Sequence, residues 1–179
     1  MQAARGASLS DARESSLLLR SLFIGIAVIA LAVDQVTKAL AASRLTPGEP
    51  RHLVGSLLQL DLIRNSGAAF STGTGHTEWF SALAIVATIV VLWFGFQVGS
   101  RVWSAALGFL LAGVVGNLID RIAREPAAFR GHVVDFLELP HWPVFNVADV
   151  CITIAAVLII LQALRGVRPS GARETRDAS

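Results

Sequence analysis

The chain has 179 residues, 54% of them hydrophobic and 16% charged, with a formal net charge of +2 and a mean hydropathy of +0.61. Soluble domains carry about 25% charged residues, so this composition excludes a disordered chain and argues against a soluble globular enzyme. The net charge is too small for a nucleic-acid binder, and the single cysteine, Cys151, excludes a disulfide framework and a multi-thiolate metal site. We therefore expect a small polytopic membrane protein.

Uncharged stretches locate four predicted membrane spans. A helix needs roughly 20 apolar residues to cross about 30 Å of hydrocarbon. Two of the stretches have about that length, and the other two reach it only if polar residues at one end belong to the helix. In chain order the stretches are 21–33 (extended by 17–19 if Arg20 snorkels), 79–100, 102–119 and 150–164.

The first stretch has a second interpretation, as a cleaved secretory signal peptide. Ala30-Leu31-Ala32 imitates a cleavage site. However, the segment before it contains Asp11 and Glu14, whereas the leader of a signal peptide is short and basic. The sequence from Asp34 to Lys38 also continues the helical run. We therefore favour a first membrane span.

Four spans place both termini on the same side of the membrane. Basic residues that flank spans favour the cytoplasm, and the turn between spans 2 and 3 holds Arg101, while the last span ends at Arg165. We therefore expect both termini to be cytoplasmic. The predicted units are a polar N-terminal tail at 1–16, a transmembrane domain at 17–166 and a polar C-terminal tail at 167–179, with both tails unordered.

The two loops predicted on the outer side, 41–77 and 121–146, carry structural signals of their own. Leu58, Leu60 and Leu62 alternate with polar residues, which is the period-two pattern of a strand. This pattern predicts a small sheet on the membrane surface. The second loop has three prolines with aromatic residues between them, which favours a lid or collar over a free linker.

Polar side chains collect where the predicted spans end on the outer side. Charged residues within a span cost roughly 3 kcal/mol each and usually serve a function. Because successive spans alternate in direction, these side chains converge at one depth, the outer interface. They are Asp34 and Lys38 at span 1, Asn117, Asp120 and Arg121 at span 3, Asn146 and Asp149 at the start of span 4, and Asp135 in the loop before it.

Most of these residues also have a purely structural interpretation. Asp149 could cap the fourth helix, and Asp34 with Lys38 could form an ion pair at a helix end. The polar residues that end span 3 could be an interfacial anchor. Asp135 is the hardest to dismiss, because a carboxylate between Val134 and Phe136 must find a partner or take up a proton.

Two further patterns have simple interpretations. Gly108, Ala112 and Gly116 are four residues apart, which is typical of a close-packing face on a membrane helix. The four histidines show no ligand spacing, and no HExxH motif is present. We therefore expect neither a metal nor a cofactor.

A reaction class follows if Asp135 and Asp149 face each other. Two carboxylates within a few ångströms share a proton, because both cannot easily ionise. The ionised one can take a proton from water as the water attacks a carbonyl, and the protonated one can polarise that carbonyl and later protonate the leaving amine. This is aspartic-protease chemistry, which needs no metal and no covalent intermediate.

Two other functional classes are alternatives. A transporter or proton-relay protein also places carboxylates in membrane helices, but near the midplane and often within internal repeats. Here the acids lie at span ends, and the sequence shows no repeat. A non-catalytic scaffold would explain the small-residue face but not the converging polar side chains.

Five sequence blocks together resemble the lipoprotein signal peptidase (signal peptidase II) family, and the resemblance covers about residues 17–165. Each block alone is weak, but five in the same order at the ends of four spans are specific. The blocks are Asp34-Gln35-Val36-Thr37-Lys38, Asn65-Ser66-Gly67-Ala68-Ala69-Phe70, Gly116-Asn117-Leu118-Ile119-Asp120-Arg121, Val134-Asp135-Phe136 and Phe145-Asn146-Val147-Ala148-Asp149.

The resemblance implies an all-α membrane protein with four transmembrane helices, a small extracytoplasmic β-cradle and a loop helix. It implies an aspartic endopeptidase, a hydrolase of the bacterial cytoplasmic (inner) membrane with its active site at the outer face. The substrates implied are diacylglyceryl-modified prolipoproteins, cleaved before the lipidated cysteine. Membrane lipids and inhibitors of the globomycin type are the other partners implied, and we expect a monomer.

The resemblance also assigns roles to residues. The catalytic pair of the family falls on Asp135 and Asp149. Substrate-contacting positions fall on Asn65, Asn117, Arg121 and Asn146, and supporting positions on Asp34, Lys38, Gly67 and Asp120. One departure concerns the second loop, which is several residues longer between Arg121 and Asp135 than in compact members of the family. Its shape is therefore open.

Overall fold

Four apolar helices dominate the computed structural model, which describes residues 2–67 and 77–173, with side chains from Glu14 onward. Each helix is long and apolar enough to cross a membrane, which confirms the four predicted spans. Polar residues do extend the two shorter stretches, since the first and last helices include Asp34, Lys38 and Asp149. The helices are α1 (Gln2–Arg44), α2 (Thr77–Gly95), α3 (Arg101–Ala123) and α4 (Val147–Leu164).

The described parts of the two predicted tails, residues 2–16 and 167–173, are ordered rather than unordered, and residues 174–179 of the C-terminal tail lie outside the described residues. The backbone of α1 begins at Gln2, so residues 2–16 continue the first helix. After α4, Gly166 takes a left-handed φ of 63°, a common way to end a helix. The following residues form a turn in which Val167 bridges Arg173. The Pro169 carbonyl accepts a 2.8 Å hydrogen bond from Gly99 N–H, so this turn lies against the α2–α3 connection.

The helix α3 is central and contacts α1, α2 and α4. Glycines on α3 allow close approach, which confirms the predicted small-residue face. A side chain at Gly108 would overlap the Phe23 carbonyl of α1, and one at Gly113 would overlap the Ala148 carbonyl of α4. A side chain at Gly116 would overlap the Asp34 carboxylate. The helix backbones therefore meet at separations that only glycine permits.

A small antiparallel sheet lies at one end of the helix bundle, which we call the outer end. Its strands are β1 (Arg51–Val54), β2 (Leu58–Asn65) and β3 (Val133–Glu138), in the order β1-β2-β3. Leu62 of β2 packs with Val134 and Phe136 of β3 and with Ala41 of α1. The predicted strand at 58–62 is confirmed, and β1 and β3 were not predicted.

The register of the sheet positions β3 for the site. Ile63 pairs with Asp135, and Asn65 pairs with Val133, so Asn65 and Asp135 lie on neighbouring strands. The second outer loop is thus neither a free linker nor a simple lid, because its middle is a strand of the sheet. Within residues 2–67 and 77–173 the only helices are the four long ones, so the implied loop helix is not among the residues that the structure describes. Residues 68–70 of the second motif block also lie outside them.

An apolar cluster holds the opposite end, the inner end, where α2 connects to α3. Phe23 of α1 is fully buried there against Val91 of α2 and Trp103, Leu107 and Leu111 of α3. The Arg20 side chain extends along this end and donates a 3.2 Å hydrogen bond to the Phe96 carbonyl. The inner end is therefore held together mainly by the packing of apolar side chains, and polar groups such as Arg20 lie at its edge.

Candidate active site

The ten residues that the sequence predicts for the site all lie at the outer end. They surround a cavity of about 550 Å³ between α3, α4, β3 and the turn that precedes α4. Asn146 lies directly behind the cavity wall, and Asp34, Lys38 and Asp120 form a buried layer beneath it. The remaining six line the cavity: Asn65, Gly67, Asn117, Arg121, Asp135 and Asp149.

Asp149 sits in the first turn of α4, where Asn146 is the N-cap. The Asn146 side chain accepts from Asp149 N–H at 3.1 Å, and the Asp149 carboxylate accepts from Asn146 N–H at 3.1 Å. This reciprocal pair is a capping box. The other oxygen, Asp149 Oδ1, accepts from Asn117 Nδ2 at 3.0 Å. The structural interpretation of Asp149 as a cap residue is thus correct, and the same carboxylate also faces the cavity.

Asp135 lies on β3 with its carboxylate held by two amides. Asn65 Nδ2 donates to Oδ2 at 3.0 Å, and Asn146 Nδ2 donates to Oδ1 at 2.6 Å. Burial raises the pKa of Asp135 to about 6, the two amide hydrogen bonds lower it, and the negative charge of Asp149 raises it. Asp135 therefore titrates near neutral pH, where it can either hold or release a proton.

Asn146 connects the two carboxylates. Its side-chain oxygen caps the helix at Asp149, and its amide nitrogen donates to Asp135 and, at 3.2 Å, to Asn117 Oδ1. The side chain is fully buried. Because every polar atom of this amide has a partner, its orientation is fixed, and with it the relative placement of Asp135 and Asp149.

Lys38 is a fully buried cation beneath the cavity. Its ammonium lies 3.0 Å from Asp34 Oδ2 and 2.9 Å from Asp120 Oδ2, and it donates to Asn117 Oδ1 at 2.9 Å. An ammonium has three donors, and all three are used. Because Lys38 engages the oxygen of Asn117, the Asn117 amide must turn its nitrogen toward Asp149.

The two acids bound to Lys38 also position neighbouring backbone. The N–H of Ala148, in the first turn of α4, donates to Asp34 Oδ1 at 2.8 Å. The N–H of Val134, next to Asp135 on β3, donates to Asp120 Oδ2 at 3.2 Å. One ionic layer thus fastens the elements that carry the two cavity aspartates.

Arg121 is a buried guanidinium at the cavity wall. It donates to the Asn117 carbonyl at 3.3 Å and to the Gly67 carbonyl at 3.1 Å, and its guanidinium lies 5.9 Å from the centre of the Phe80 ring. Among the residues that the structure describes, none accepts a hydrogen bond from Arg121 Nε. This guanidinium therefore joins α3 to the bend that follows β2.

The structure adds two residues to this cluster. Gln35 Nε2 donates to Asp34 Oδ2 and to the Gly116 carbonyl, which ties α1 to α3. Arg124 Nε lies 2.6 Å from Asp120 Oδ1. The sequence carries a signal for both, since Gln35 is within the first motif block and Arg124 follows Asp120 at the i+4 spacing of a helical ion pair.

The arrangement combines two carboxylates of different environment with several fixed amide and guanidinium donors, beside an apolar wall. Such a site can activate a water molecule, polarise a carbonyl and hold an extended peptide backbone.

The model of the family "Signal peptidase (SPase) II" matches residues 26–165 of the chain. The chain belongs to the signal peptidase II family.

Relatives and solved structures agree with this membership. The chain is 43% identical to the lipoprotein signal peptidase of Mycobacterium leprae over 145 residues, which is 81% of this chain and 72% of the relative. It is 43% identical to that of Rhodococcus jostii, over 87% of this chain and 78% of the relative. A bacterial membrane enzyme solved by the in meso method at 2.3 Å superposes with a TM-score of 0.73 at 30% identity, over 86% of this chain and 94% of that one.

Membership in the signal peptidase II family confirms the resemblance of the five motif blocks. It shows that the protein is a peptidase, and hence a hydrolase, in a multi-pass membrane domain. The fold also matches that of the solved bacterial membrane enzymes, with four helices and a small open sheet. Between the end of α3 and β3, residues 124–130 form bends and turns, which gives the first part of the second outer loop its shape.

Proposed function

We propose that this protein is an aspartic endopeptidase that removes the signal peptide from diacylglyceryl-modified prolipoproteins, cleaving before the lipidated cysteine. The observation that carries the proposal is the shared cavity of Asp135 and Asp149, which Asn146 links on its buried side. The substrate class is supported by the relatives, which are named lipoprotein signal peptidases.

The surroundings of the two aspartates suggest different roles for them. Asp149 lies at a helix N-terminus, where the helix dipole favours negative charge, and both of its oxygens accept hydrogen bonds. We assign it the ionised form and the role of base. Burial raises the pKa of Asp135 to about 6, and we assign it the proton in the resting state and the role of acid.

The reaction then follows in two proton transfers. Asp149 takes a proton from a water molecule as the water oxygen attacks the scissile carbonyl carbon, while Asp135 donates a hydrogen bond to the carbonyl oxygen. As the tetrahedral intermediate collapses, the C–N bond breaks and the proton held by Asp149 passes to the leaving amine. Asp135 keeps its proton throughout, so the dyad again holds a single proton once the amine has left, and it is ready for another cycle when the acid product is replaced by water.

The other cavity residues are suited to hold the substrate. The guanidinium of Arg121 and the amides of Asn65 and Asn117 line the cavity and can bind carbonyl oxygens of the peptide. The apolar side of the cavity, which includes Val133, Phe145 and Val150, suits an apolar signal segment or an acyl chain. Asn146, Asp34, Lys38, Gly67 and Asp120 then keep these groups in position.

The proposal includes an orientation in the membrane. We place both termini in the cytoplasm and the cavity at the outer face of the bacterial inner membrane, where a lipid-anchored substrate presents its cleavage site. Trp142 at the cavity rim is 61% exposed, which suits the membrane interface. The enzyme acts as a monomer, and an inhibitor of the globomycin type competes with substrate for the cavity.

Single-atom changes at the dyad test the mechanism. Asp149→Asn retains shape but removes the base that takes the proton from water, and Asp135→Asn retains shape but removes the acidic hydroxyl that polarises the carbonyl. Each should therefore lower cleavage of a lipidated prolipoprotein at least about 1,000-fold. The matched control is Glu138→Gln, which neutralises a carboxylate on the same strand outside the cavity and should cleave at the wild-type rate. The measurement is the shortened product on a gel, with and without globomycin.

Near-normal turnover by either Asp→Asn variant would exclude the dyad. The absence of cleavage by folded wild-type protein would exclude the substrate assignment.

A further inference from the structure

The wall of the cavity along α4 carries one polar side chain beyond the dyad, Thr153. It follows Asp149 by four residues, so the two lie on the same face of the helix. Thr153 is exposed and lines the cavity between Ile152 and Ile154. Its hydroxyl is therefore a polar group on the part of the α4 surface that lies one turn beyond the dyad and is otherwise apolar.

The hydrogen of the Thr153 hydroxyl is already committed. Oγ1 donates to the Asp149 carbonyl at 2.9 Å, which is the ordinary bond of a threonine to the preceding helical turn. A hydroxyl oxygen has two acceptor lone pairs. Among the residues that the structure describes, none donates to this oxygen. It can therefore accept a hydrogen bond from a donor in the cavity but cannot give one.

An extended peptide brings donors to this depth. Four residues of helix rise about 6 Å, and an extended chain advances about 3.3 Å per residue. Thr153 thus lies about two substrate residues from the bond that the dyad would cleave. It lies toward the interior of the membrane, where the signal segment must be. An unpaired backbone N–H there has no water to bond and is costly.

We infer that the Thr153 hydroxyl accepts a hydrogen bond from the substrate backbone N–H about two residues before the cleaved bond. The inference rests on the proposed function, because it takes a peptide bond at the dyad as its reference point. Thr153 is then a positioning residue: it acts on no reacting atom and fixes how far the unwound signal segment extends into the cavity.

Two changes, one on each partner, test the contact. Thr153→Val removes the hydroxyl and keeps the branched shape, and replacing the substrate amide by an ester removes the N–H. Each change alone should lower kcat/KM about 5- to 10-fold, the effect of one hydrogen bond. The ester is placed in turn one, two and three residues before the cleaved bond. At the substrate position that contacts Thr153, the ester should not lower the kcat/KM of Thr153→Val any further, because the acceptor hydroxyl is already absent.

Matched variants separate this contact from a structural effect. Thr153→Ser keeps the hydroxyl and should retain wild-type kcat/KM. Thr88→Val removes a hydroxyl with the same kind of bond, 2.7 Å to the Ala84 carbonyl, in an apolar groove between α1, α2 and α3 away from the cavity. It should cleave like the wild type. The ester series on wild-type enzyme gives a result even if a variant folds poorly.

The inference is overturned if Thr153→Val cleaves at the wild-type rate. It is also overturned if every ester lowers the kcat/KM of the wild type and of Thr153→Val by the same factor. These results leave the proposed function intact, since the wild type still cleaves. Failure of the folded wild type to cleave the all-amide substrate is a different result, which removes the proposed function and the contact together.

Discussion

The two halves of α3 are held in the bundle in different ways. At the inner end, Leu107 and Leu111 pack with Phe23 and Val91, and the contacts are apolar and non-directional. At the outer end, Asn117 and Asp120 bond to Lys38, and these contacts join particular donors to particular acceptors. Apart from Gly108, the inner half therefore depends mainly on side-chain volume, while the outer half requires particular atoms at particular distances.

The two ends therefore contribute different things: the inner end contributes stability to the bundle, and the outer end fixes the position of the groups around the cavity. Removing charged groups from water costs several kcal/mol per ion, so a buried ionic cluster contributes little net stability. What the cluster contributes is the placement of Ala148 and Val134, which adjoin the two aspartates of the cavity. At the inner end, apolar side chains pack by van der Waals contact without such a cost, and this packing supplies the stability that the outer end does not.

The largest effect should come from removing the central cation. Lys38→Met leaves two buried carboxylates, Asp34 and Asp120, without their shared partner, which costs about 3–5 kcal/mol. Asn117 also becomes free to turn its amide away from Asp149. We expect cleavage to fall more than about 100-fold and the unfolding temperature in detergent to fall as well.

The matched control is Leu111→Met on the inner half of the same helix. This swap conserves volume in an apolar site and should cost less than about 1.5 kcal/mol, with cleavage unchanged. If Lys38→Met remained as active as Leu111→Met, the contrast between the two halves would be wrong.

An intermediate effect concerns pH. Asp135 loses its proton as pH rises through a pKa of about 6, so cleavage that needs this proton should fall above that pH. The amide of Asn65 donates to the carboxylate and lowers its pKa. Asn65→Ala should therefore raise the pKa and move the alkaline limb of the kcat profile upward by about one pH unit.

The readout is the position of that limb rather than its height, since Asn65 also lines the cavity. The neighbouring variant Ser66→Ala is the control and should leave the limb in place. A limb that stays fixed in Asn65→Ala would show that Asp135 is not the group that must hold the proton.

The smallest effect is expected at the inner end. Trp103 Nε1 donates to the Val167 carbonyl at 3.0 Å and so fastens the C-terminal turn to α3. Trp103→Phe keeps most of the packing and loses this bond, at a cost of about 1 kcal/mol. A thermal melt should shift by a few degrees, about 2–4 °C, with cleavage unchanged. Trp93→Phe, which alters a lipid-facing ring that is 62% exposed, should shift the melt less.

The spans and the gathering of the site residues at one end of the bundle could be predicted from the sequence because each depends on local information. A run without charge requires a helix in the membrane, and the alternation of four helices brings Asp34, Asn117 and Asp149 to one end. The i+4 spacing likewise predicts the contact of Asp34 with Lys38. The sequence cannot show that Lys38 also reaches Asp120, since that contact depends on how closely α1 and α3 approach.

The strands β1 and β3 and the C-terminal turn escaped prediction because no local sequence pattern specifies them. All four residues of β1 are exposed, so it has no alternation of apolar and polar faces. The strand β3 is buried along most of its length and pairs with a strand about 70 residues earlier. The turn after α4 is polar in sequence and is ordered by contacts with Gly99 and Trp103, far along the chain.

The capping role of Asn146 has a consequence for biosynthesis. A membrane protein is made from its N-terminus, and α4 is the last of the four spans to be synthesised. Until that helix starts at Asn146, Asp135 lacks one of its two amide donors and Asp149 has no cap. The site is therefore completed by the same event that completes the bundle, so a nascent chain that holds only three spans contains no assembled site.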